Sequence, residues 1–202
     1  SQSDYFQATK GGGHGDYRNV VLAPASVQEL YEMTVEAFNI ADRYNVLVMI
    51  MGDGALGQMM EPVRFRAAEV DDLTDKPWAL TGTHGKREHN YVTSIYIEAD
   101  DLEALNLRLQ AKYREIEKKE TRVETTGCEG AELLITAFGT CSRIMKNVIA
   151  SAEAEGIRVG LVRPVTLWPF PTETVARMAA QPSVKALLDV ELNAGQMLED
   201  DR

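Results

Sequence analysis

Cysteine is scarce in this sequence, and its scarcity excludes two kinds of protein. The 202 residues include two cysteines, Cys128 and Cys141. These are too few for a disulfide-rich scaffold or for the thiolates that hold an iron–sulfur cluster. No histidine follows Cys141 in the sequence, which disfavours a cysteine-dependent hydrolase. We therefore expect two reduced thiols, as is usual in the cytosol.

Long apolar runs and leader sequences are missing as well. The most apolar stretch, residues 46–51, has the length of a buried strand and is far short of the roughly 20 residues that span a bilayer. The chain does not open on a basic and apolar leader, so secretion is unsupported. These features predict a cytoplasmic protein with no membrane partner.

Clustered positive charge is also lacking. The 21 Lys and Arg residues are outnumbered by 31 Asp and Glu residues, which gives a formal net charge of −10. Phosphate backbones are bound by clustered basic side chains, whereas the basic residues between positions 112 and 119 are mixed with acids. Nucleic acid is therefore not expected as a partner, and a solvated helix face explains these charges better.

A strand–helix–strand pattern is present near the start of the chain. Residues 20–22 predict a short buried strand and residues 46–51 predict a second one. Between them, Ser26 and Glu29 fit a capping box, and apolar positions at helical spacing run through Tyr44. This order predicts an αβ unit of a mostly parallel sheet.

A second αβ pattern follows after an irregular connection. Proline and glycine interrupt residues 61–97, after which Asp100 or Asp101 is expected to cap a helix that runs to about Glu120. Its apolar stripe consists of Leu102, Leu105, Leu109, Tyr113 and Ile116. The remaining predicted elements are a polar linker at 121–130, strands at 133–137, 157–162 and 184–190, and helices at 142–154 and 172–180.

Two loops contain the residues that we regard as candidate ligand contacts. In the Gly-rich loop of residues 10–16, His14 can titrate near neutral pH, and Asp16 could orient its imidazole. Asp53 begins an Asp-Gly-Ala-Leu-Gly-Gln string directly after a predicted strand, where open α/β sheets bind ligands. A tight turn explains the same string without a ligand. His84 and His89 lack ligand spacing, so no metal site is predicted.

Three further strings have structural interpretations. The turn at residues 139–142 leads from a strand into a helix, where free amides can hold an anion. Helix capping by Thr140 or Ser142 is the simpler interpretation. Trp168 and Phe170 lie in a proline-rich string, which predicts packing at a domain or subunit face. Residues 191–197 follow the last predicted strand and form either an interface turn or the edge of a fragment.

Taken together, these strings resemble the α subunit of the 2-oxoacid:ferredoxin oxidoreductases, with the 2-oxoglutarate and 2-ketoisovalerate types the most similar. The resemblance covers nearly the whole chain, in the family's order. It rests on Gln2-Ser3-Asp4, Gly13-His14-Gly15-Asp16, residues 22–29, residues 53–58, residues 78–82, residues 87–91 and residues 131–196.

The resemblance implies an α/β fold in three parts. Residues 1–63 would be the C-terminal part of a pyrimidine-binding-type thiamine diphosphate domain. Residues 64–127 would form a connecting segment with the long amphipathic helix. Residues 128–202 would form a domain similar to the C-terminal domain of transketolase.

The same resemblance implies oxidative decarboxylation of a 2-oxoacid, either 2-ketoisovalerate or 2-oxoglutarate, to an acyl-CoA. Thiamine diphosphate with magnesium would be bound at the interface with a β subunit. Electrons would reach ferredoxin through iron–sulfur clusters in partner subunits, with none in this chain and further small subunits in some complexes. The cofactor provides the difficult chemistry, and the protein provides position and electrostatics.

Elements that the family needs for catalysis are expected to lie outside this sequence. The chain opens on Ser1 rather than on methionine, as a piece of a longer protein would. The family's activating glutamate and its Ser/Thr-rich substrate loops precede the string that begins at Gln2. We therefore expect the chain to be inactive alone, with no assigned catalytic residue. His14, Asp16 and Asp53 remain candidate contacts with cofactor, substrate or β subunit.

Two alternatives stay open at this point. The β subunit of a lipoamide-linked 2-oxoacid dehydrogenase has a similar order of strands and helices in its C-terminal domain. A non-catalytic α/β module that binds a small anion or a protein would use the turn at Thr140.

Overall fold

Two small β-sheets organise the part of the chain that the computed structural model describes, residues 2–66 and 76–202. The strands are β1 (Val20–Leu22), β2 (Val48–Ile50), β3 (Val123–Thr126), β4 (Leu133–Thr136), β5 (Val159–Pro164), β6 (Thr166–Trp168) and β7 (Ala186–Asp189). The helices are α1 (Tyr5–Thr9), α2 (Val27–Tyr44), α3 (Gly54–Gln58), α4 (Ala99–Glu120), α5 (Gly139–Ala154), α6 (Thr172–Ala179) and α7 (Leu198–Asp201).

The first sheet has the strand order β2-β1-β6, and the second has the order β3-β5-β4-β7. In the first sheet β1 is parallel to β2 and antiparallel to β6. In the second, β4 is parallel to both β5 and β7, and β3 is antiparallel to β5. The carboxyl ends of β1 and β2 therefore share one edge of their sheet, as do those of β4, β5 and β7. The fold class is α/β, as predicted.

Elements with a strong local pattern lie where the sequence places them. Strand β1 and helix α2 match their predicted bounds, and α4 ends at Glu120 as expected. The stripe on α4 is buried at Tyr113 and Ile116, but Leu102 is 43% exposed. Only the later part of the helix therefore packs against the core. Among residues 2–66 and 76–202, no helix combines the length and apolar character needed to cross a bilayer.

Two strands contradict the sequence prediction. The expected polar linker at 121–130 contains β3, which pairs along β5 at the edge of the second sheet. The polar composition of β3 gave no sign of a strand, because an edge strand with an exposed face does not need an apolar pattern. Strand β6 was missed because its partner β1 is far away in the sequence. It places residues from the second half of the chain in the first sheet.

Smaller corrections concern element ends. The prediction for β2 was too long, since Leu47 is 75% exposed and precedes the strand. Helix α5 begins at Gly139 rather than at Ser142. Helix α4 begins at Ala99, with Asp100 and Asp101 in its first turn rather than at its cap. The short helices α1 and α7 were not predicted.

A buried guanidinium connects the two sheets. Arg163 lies on β5 with its side chain 1% exposed. It donates to Glu29 Oε1 at 2.9 Å, to Glu124 Oε2 at 2.9 Å and to the Ala23 carbonyl at 3.2 Å. Glu29 belongs to the first turn of α2 and Glu124 to β3. Arg163 thus fixes the start of α2, in the first αβ unit, against the second sheet.

This contact changes the expected capping box of α2. Ser26 Oγ accepts the Glu29 amide at 3.1 Å, as predicted. The Glu29 carboxylate, however, accepts the Ala25 amide at 2.8 Å and pairs with Arg163. Burial alone raises the pKa of Glu29, but the bonds from Arg163 and Ala25 outweigh it, and the pKa lies below its ordinary value.

Removing this guanidinium should cost far more than removing an exposed one. We expect Arg163→Ala to lower the free energy of unfolding by about 3–5 kcal/mol, because Glu29 is left without its buried partner. The matched control is Arg158→Ala, which removes a 63% exposed side chain paired with Glu132 and should cost less than about 1 kcal/mol. Urea unfolding measures both, and equal losses would contradict the connecting role of Arg163.

Candidate functional site

Asp53 lies just beyond the carboxyl end of β2 and caps the short helix α3. Its Oδ1 accepts the Leu56 amide at 3.0 Å. The same carboxylate reaches the start of α5, where Thr140 Oγ1 donates to Oδ1 at 2.8 Å and the Thr140 amide donates to Oδ2 at 3.2 Å. One carboxylate therefore serves two helix N-termini, a position in which negative charge is favourable.

This arrangement corrects the prediction for the turn at Thr140. Neither Thr140 nor Ser142 caps α5, since the Ser142 hydroxyl donates to the Gly139 carbonyl at 2.7 Å and no side chain caps the helix from Phe138. The anion at the turn is Asp53 itself. The structure thus explains this turn without an external anion.

The protonation of Asp53 follows from these contacts. Burial alone raises the pKa of the carboxyl group, but the hydrogen bonds from Leu56, Thr140 and Ala55 outweigh it. The pKa of Asp53 therefore lies below its ordinary value, and the group is ionised at neutral pH.

A second carboxylate fastens the segment that follows α3. Glu61 accepts the Val27 amide of α2 at 2.9 Å and also pairs with Arg143 of α5. The hydrogen bond from the Val27 amide is the main cause that lowers the pKa of Glu61. Residues 53–61, hereafter the anchored segment, are thus held at both ends, while Gln58 between them is exposed and Met60 is 97% exposed. The anchored segment can present these groups to a ligand or to another chain.

Gln2 completes the contacts at this edge. Its side chain is buried, donates to the Phe138 carbonyl at 3.2 Å and accepts the Leu192 amide at 3.1 Å. Asn193 donates to the Gln2 carbonyl at 3.0 Å. Gln2 contributes to the family resemblance, but the sequence carries no local signal for this contact because its partners are about 136 and 190 positions away. Residues 191–197 therefore pack against the start of the chain, which accounts for the turn predicted there.

The structure does not bring His14 and Asp16 together with Asp53. Both lie in the exposed loop between α1 and β1, at the amino end of β1, whereas Asp53 follows the carboxyl end of the parallel strand β2. The loop is closed by the Tyr17 hydroxyl, which accepts the Gly12 and Gly13 amides at 2.9 Å each. No hydrogen bond joins His14 to Asp16, both of which the structure describes.

The other singled-out residues have structural contacts. Trp168 packs edge-on against Tyr113 at 5.9 Å between ring centroids, so its partner lies within this chain. Cys128 and Cys141 are free and buried, and burial raises the pKa of both thiols. His84 contacts the Thr81 carbonyl at 3.1 Å. Within residues 2–66 and 76–202, no three His, Cys, Asp or Glu side chains are grouped so that they could hold a metal ion.

Acidic side chains meet at the carboxyl ends of β4 and β7. Burial first, and then the hydrogen bond and charge of Glu191 and the charge of Asp201, raise the pKa of Asp189 to about 8. Burial also raises the pKa of Asp201 to about 6, against a hydrogen bond from Thr136 that lowers it. These two carboxyl groups therefore hold protons more tightly than they would in an unfolded chain.

Comparison with known proteins connects this architecture to one group of enzymes. Residues 1–125 match the family "Pyruvate flavodoxin/ferredoxin oxidoreductase, thiamine diP-bdg", and residues 131–202 match "Pyruvate:ferredoxin oxidoreductase core domain II".

Curated relatives match along nearly the whole chain. The ketoisovalerate oxidoreductase subunit VorB of Methanothermobacter marburgensis is 46% identical over 98% of this chain and 56% of its own length. The 2-oxoglutarate synthase subunit KorA of Archaeoglobus fulgidus is 34% identical over 99% of this chain and 57% of its own length. The chain thus spans about half the length of the curated relatives it matches.

A solved structure shares the fold. It is the 2-oxoglutarate:ferredoxin oxidoreductase from Magnetococcus marinus with 2-oxoglutarate, coenzyme A and succinyl-CoA bound. The TM-score is 0.76 at 22% sequence identity, over 97% of this chain and 38% of that one.

Gly139 should not tolerate a side chain. It has φ +55°, and an added Cβ would lie 3.1 Å from Gln2 Nε2 and 3.5 Å from Asp53 Oδ2. We expect Gly139→Ala to lower the free energy of unfolding by about 2–4 kcal/mol, because backbone strain adds to the crowding against the buried Gln2 side chain. Gly156→Ala is the control, since Gly156 has φ +77° with no atom within 4 Å, and should cost about 1–2 kcal/mol. Chemical denaturation measures both variants. A smaller loss of stability for Gly139→Ala than for Gly156→Ala would show that the space around Gly139 is not closely packed.

The stability that depends on Asp189 and Asp201 should fall as the pH rises from about 4 to about 8. Asp189 and Asp201 have raised pKa values in the folded state, so the stability that they contribute is present at low pH and is lost as the pH rises through those values. We expect Asp189→Asn to flatten the slope between about pH 6 and 8 and to add on the order of 1 kcal/mol at pH 8, after allowance for solvent screening. Urea unfolding at several pH values measures the slope, and an unchanged slope in the variant would refute this assignment.

Proposed function

The chain belongs to the 2-oxoacid:ferredoxin oxidoreductase family, and we propose that it is part of the α subunit of such an enzyme. In the proposed reaction a 2-oxoacid is oxidatively decarboxylated to an acyl-CoA, and the electrons pass to ferredoxin. The observation that carries this proposal is the match of nearly the whole chain to ketoisovalerate oxidoreductase subunits, at 46% and 45% identity.

We propose 2-ketoisovalerate as the substrate. Identity to the 2-oxoglutarate synthase subunits is lower, at 33% and 34% for the two Methanothermobacter proteins. 2-Oxoglutarate is the second candidate, because those subunits also match along the chain. A lipoamide-linked dehydrogenase has no such support, since the matching families are ferredoxin- or flavodoxin-linked. The anion-binding module loses its basis because Asp53 occupies the turn at Thr140.

The role of this chain would be to frame the site rather than to perform the chemistry. Asp53 holds the anchored segment against α5 at the carboxyl ends of the strands, where α/β sheets bind their ligands. We propose that the exposed residues of this segment contact the cofactor, the substrate or the β subunit. His14 and Asp16, at the amino end of β1, would contact the β subunit instead.

Thiamine diphosphate with magnesium is the cofactor that the family implies, and the described residues do not fit its diphosphate end. Both oxygens of Asp53 already accept hydrogen bonds within the chain. The described ranges contain no group of three His, Cys, Asp or Glu side chains suited to a metal ion. We therefore derive no catalytic step from this chain. We assign the diphosphate, the magnesium and the iron–sulfur clusters to partner subunits.

We also propose the partners, the cellular location and the domain division of this protein. The β subunit would be the direct partner, with further small subunits in some complexes, and coenzyme A and ferredoxin would react with the whole enzyme. Two free thiols fit a cytoplasmic location. We propose that residues 1–63 and 128–202 belong to separate domains joined by residues 64–127, with β6 of the second domain completing the sheet of the first.

Activity should require the longer protein and should favour the branched substrate. We expect the full-length α subunit with its β subunit to reduce ferredoxin with 2-ketoisovalerate, thiamine diphosphate and coenzyme A present. The kcat/KM should exceed that for 2-oxoglutarate by roughly 10-fold or more, the scale at which pocket contacts discriminate substrates. The isolated 202-residue chain with the β subunit should give no activity.

Each other outcome of this assay has one meaning. A preference for 2-oxoglutarate would overturn the substrate but not the family reaction. Absence of ferredoxin reduction with either 2-oxoacid, from a folded complex loaded with cofactor, would overturn the proposed function.

A further inference from the structure

A groove of about 780 Å³ opens at the amino end of β1, on the edge of the first sheet opposite to Asp53. Strand β6 ends there because it runs antiparallel to β1. The residues that follow β6 form its floor, and α4, the end of α1 and the start of α6 form its walls. The groove is separate from the contacts made by the anchored segment.

Cationic side chains line the walls of this groove. Arg18, Arg114 and Lys118 line it, and within the described residues none of the three has a carboxylate partner. Arg114 and Lys118 are one helical turn apart on α4 and share a face. A fourth cation, Lys10, is already paired with Asp200. Three acids also line the groove, namely Glu117, Glu173 and the Asp200 that pairs with Lys10.

This local balance reverses that of the whole chain. Four cations and three acids line the groove, which leaves one more positive than negative charge there, whereas the full sequence has a formal net charge of −10. Arginine binds phosphate with a planar fork of N–H donors. Helix α6 begins in the groove at Thr172 without a side-chain cap, so the positive end of its dipole adds to the same field. The groove therefore favours an anion.

The floor of the groove is apolar. Pro169 and the half-buried ring of Phe170 form part of it. Trp168 lies beside them and packs edge-on against Tyr113. Such a surface can cover the flat ring of a ligand while the charged end of the same ligand reaches the cations of the wall. We propose that this groove binds a nucleotide, with its phosphates against Arg18, Arg114 and Lys118 and its base on the floor. This inference does not depend on the proposed function.

The test uses the full-length protein in its complex and two probes, ATP and inorganic pyrophosphate. Isothermal titration calorimetry gives the Kd for each probe, and hydrogen exchange with mass spectrometry locates the protected peptides. The variant Arg114→Gln removes a phosphate contact. Lys119→Gln is the matched control, since Lys119 follows Lys118 on the same helix but pairs with Glu115 and does not line the groove.

We expect saturable ATP binding, protection of peptides that contain residues 114–121 and 168–174, and tighter binding of ATP than of pyrophosphate. Arg114→Gln should raise the Kd for ATP at least about 10-fold, because a charge-assisted contact is lost, and Lys119→Gln should leave it unchanged. No saturable binding at millimolar ATP, or an unchanged Kd in Arg114→Gln, would overturn the site. Pyrophosphate binding as tight as that of ATP would overturn the nucleotide assignment.

Discussion

The contact on which the rest of this structure depends is the buried ion pair between Arg163 and Glu29. A guanidinium that is 1% exposed is stable only where its partners are fixed around it. Those partners come from the first turn of α2, from β3 and from the Ala23 carbonyl. The pair therefore sets how the two sheets face each other, and it holds the carboxyl end of β1 against β5.

Once the two sheets are held in place, a second set of polar contacts forms at the carboxyl ends of their strands. Asp53, which follows β2, accepts hydrogen bonds from Thr140 at the start of α5. Glu61 accepts a hydrogen bond from the Val27 amide at the start of α2. The segment between them is fastened to both αβ units and still faces solvent. An exposed segment that is hydrogen-bonded at both ends suits a protein that frames a site shared with other chains, which is the role we propose for this part of the α subunit.

The parts of the fold that could be predicted are those with local causes. The apolar run of β1 and the Ser26 cap of α2 are visible in a short stretch of sequence, and Asp53 was singled out because it follows a strand. The contacts that organise the site have no local signal. Asp53 and Thr140 are separated by 87 positions, and Arg163 and Glu29 by 134. Strand β6 was missed for the same reason. His14 and Asp16 were grouped with Asp53 because a loop sequence does not show which edge of a sheet it joins.

The measurement that tests this account most directly is a double-mutant cycle between Asp53 and Thr140 in the full-length protein. It combines Asp53→Ala, Thr140→Ala and the double variant, with the free energy of unfolding as the readout. We expect a coupling energy of about 1–2 kcal/mol, because a charge-assisted hydrogen bond joins the two side chains. Additive losses, within about 0.3 kcal/mol, would show that Asp53 does not fasten the segment to α5 and would contradict the central claim.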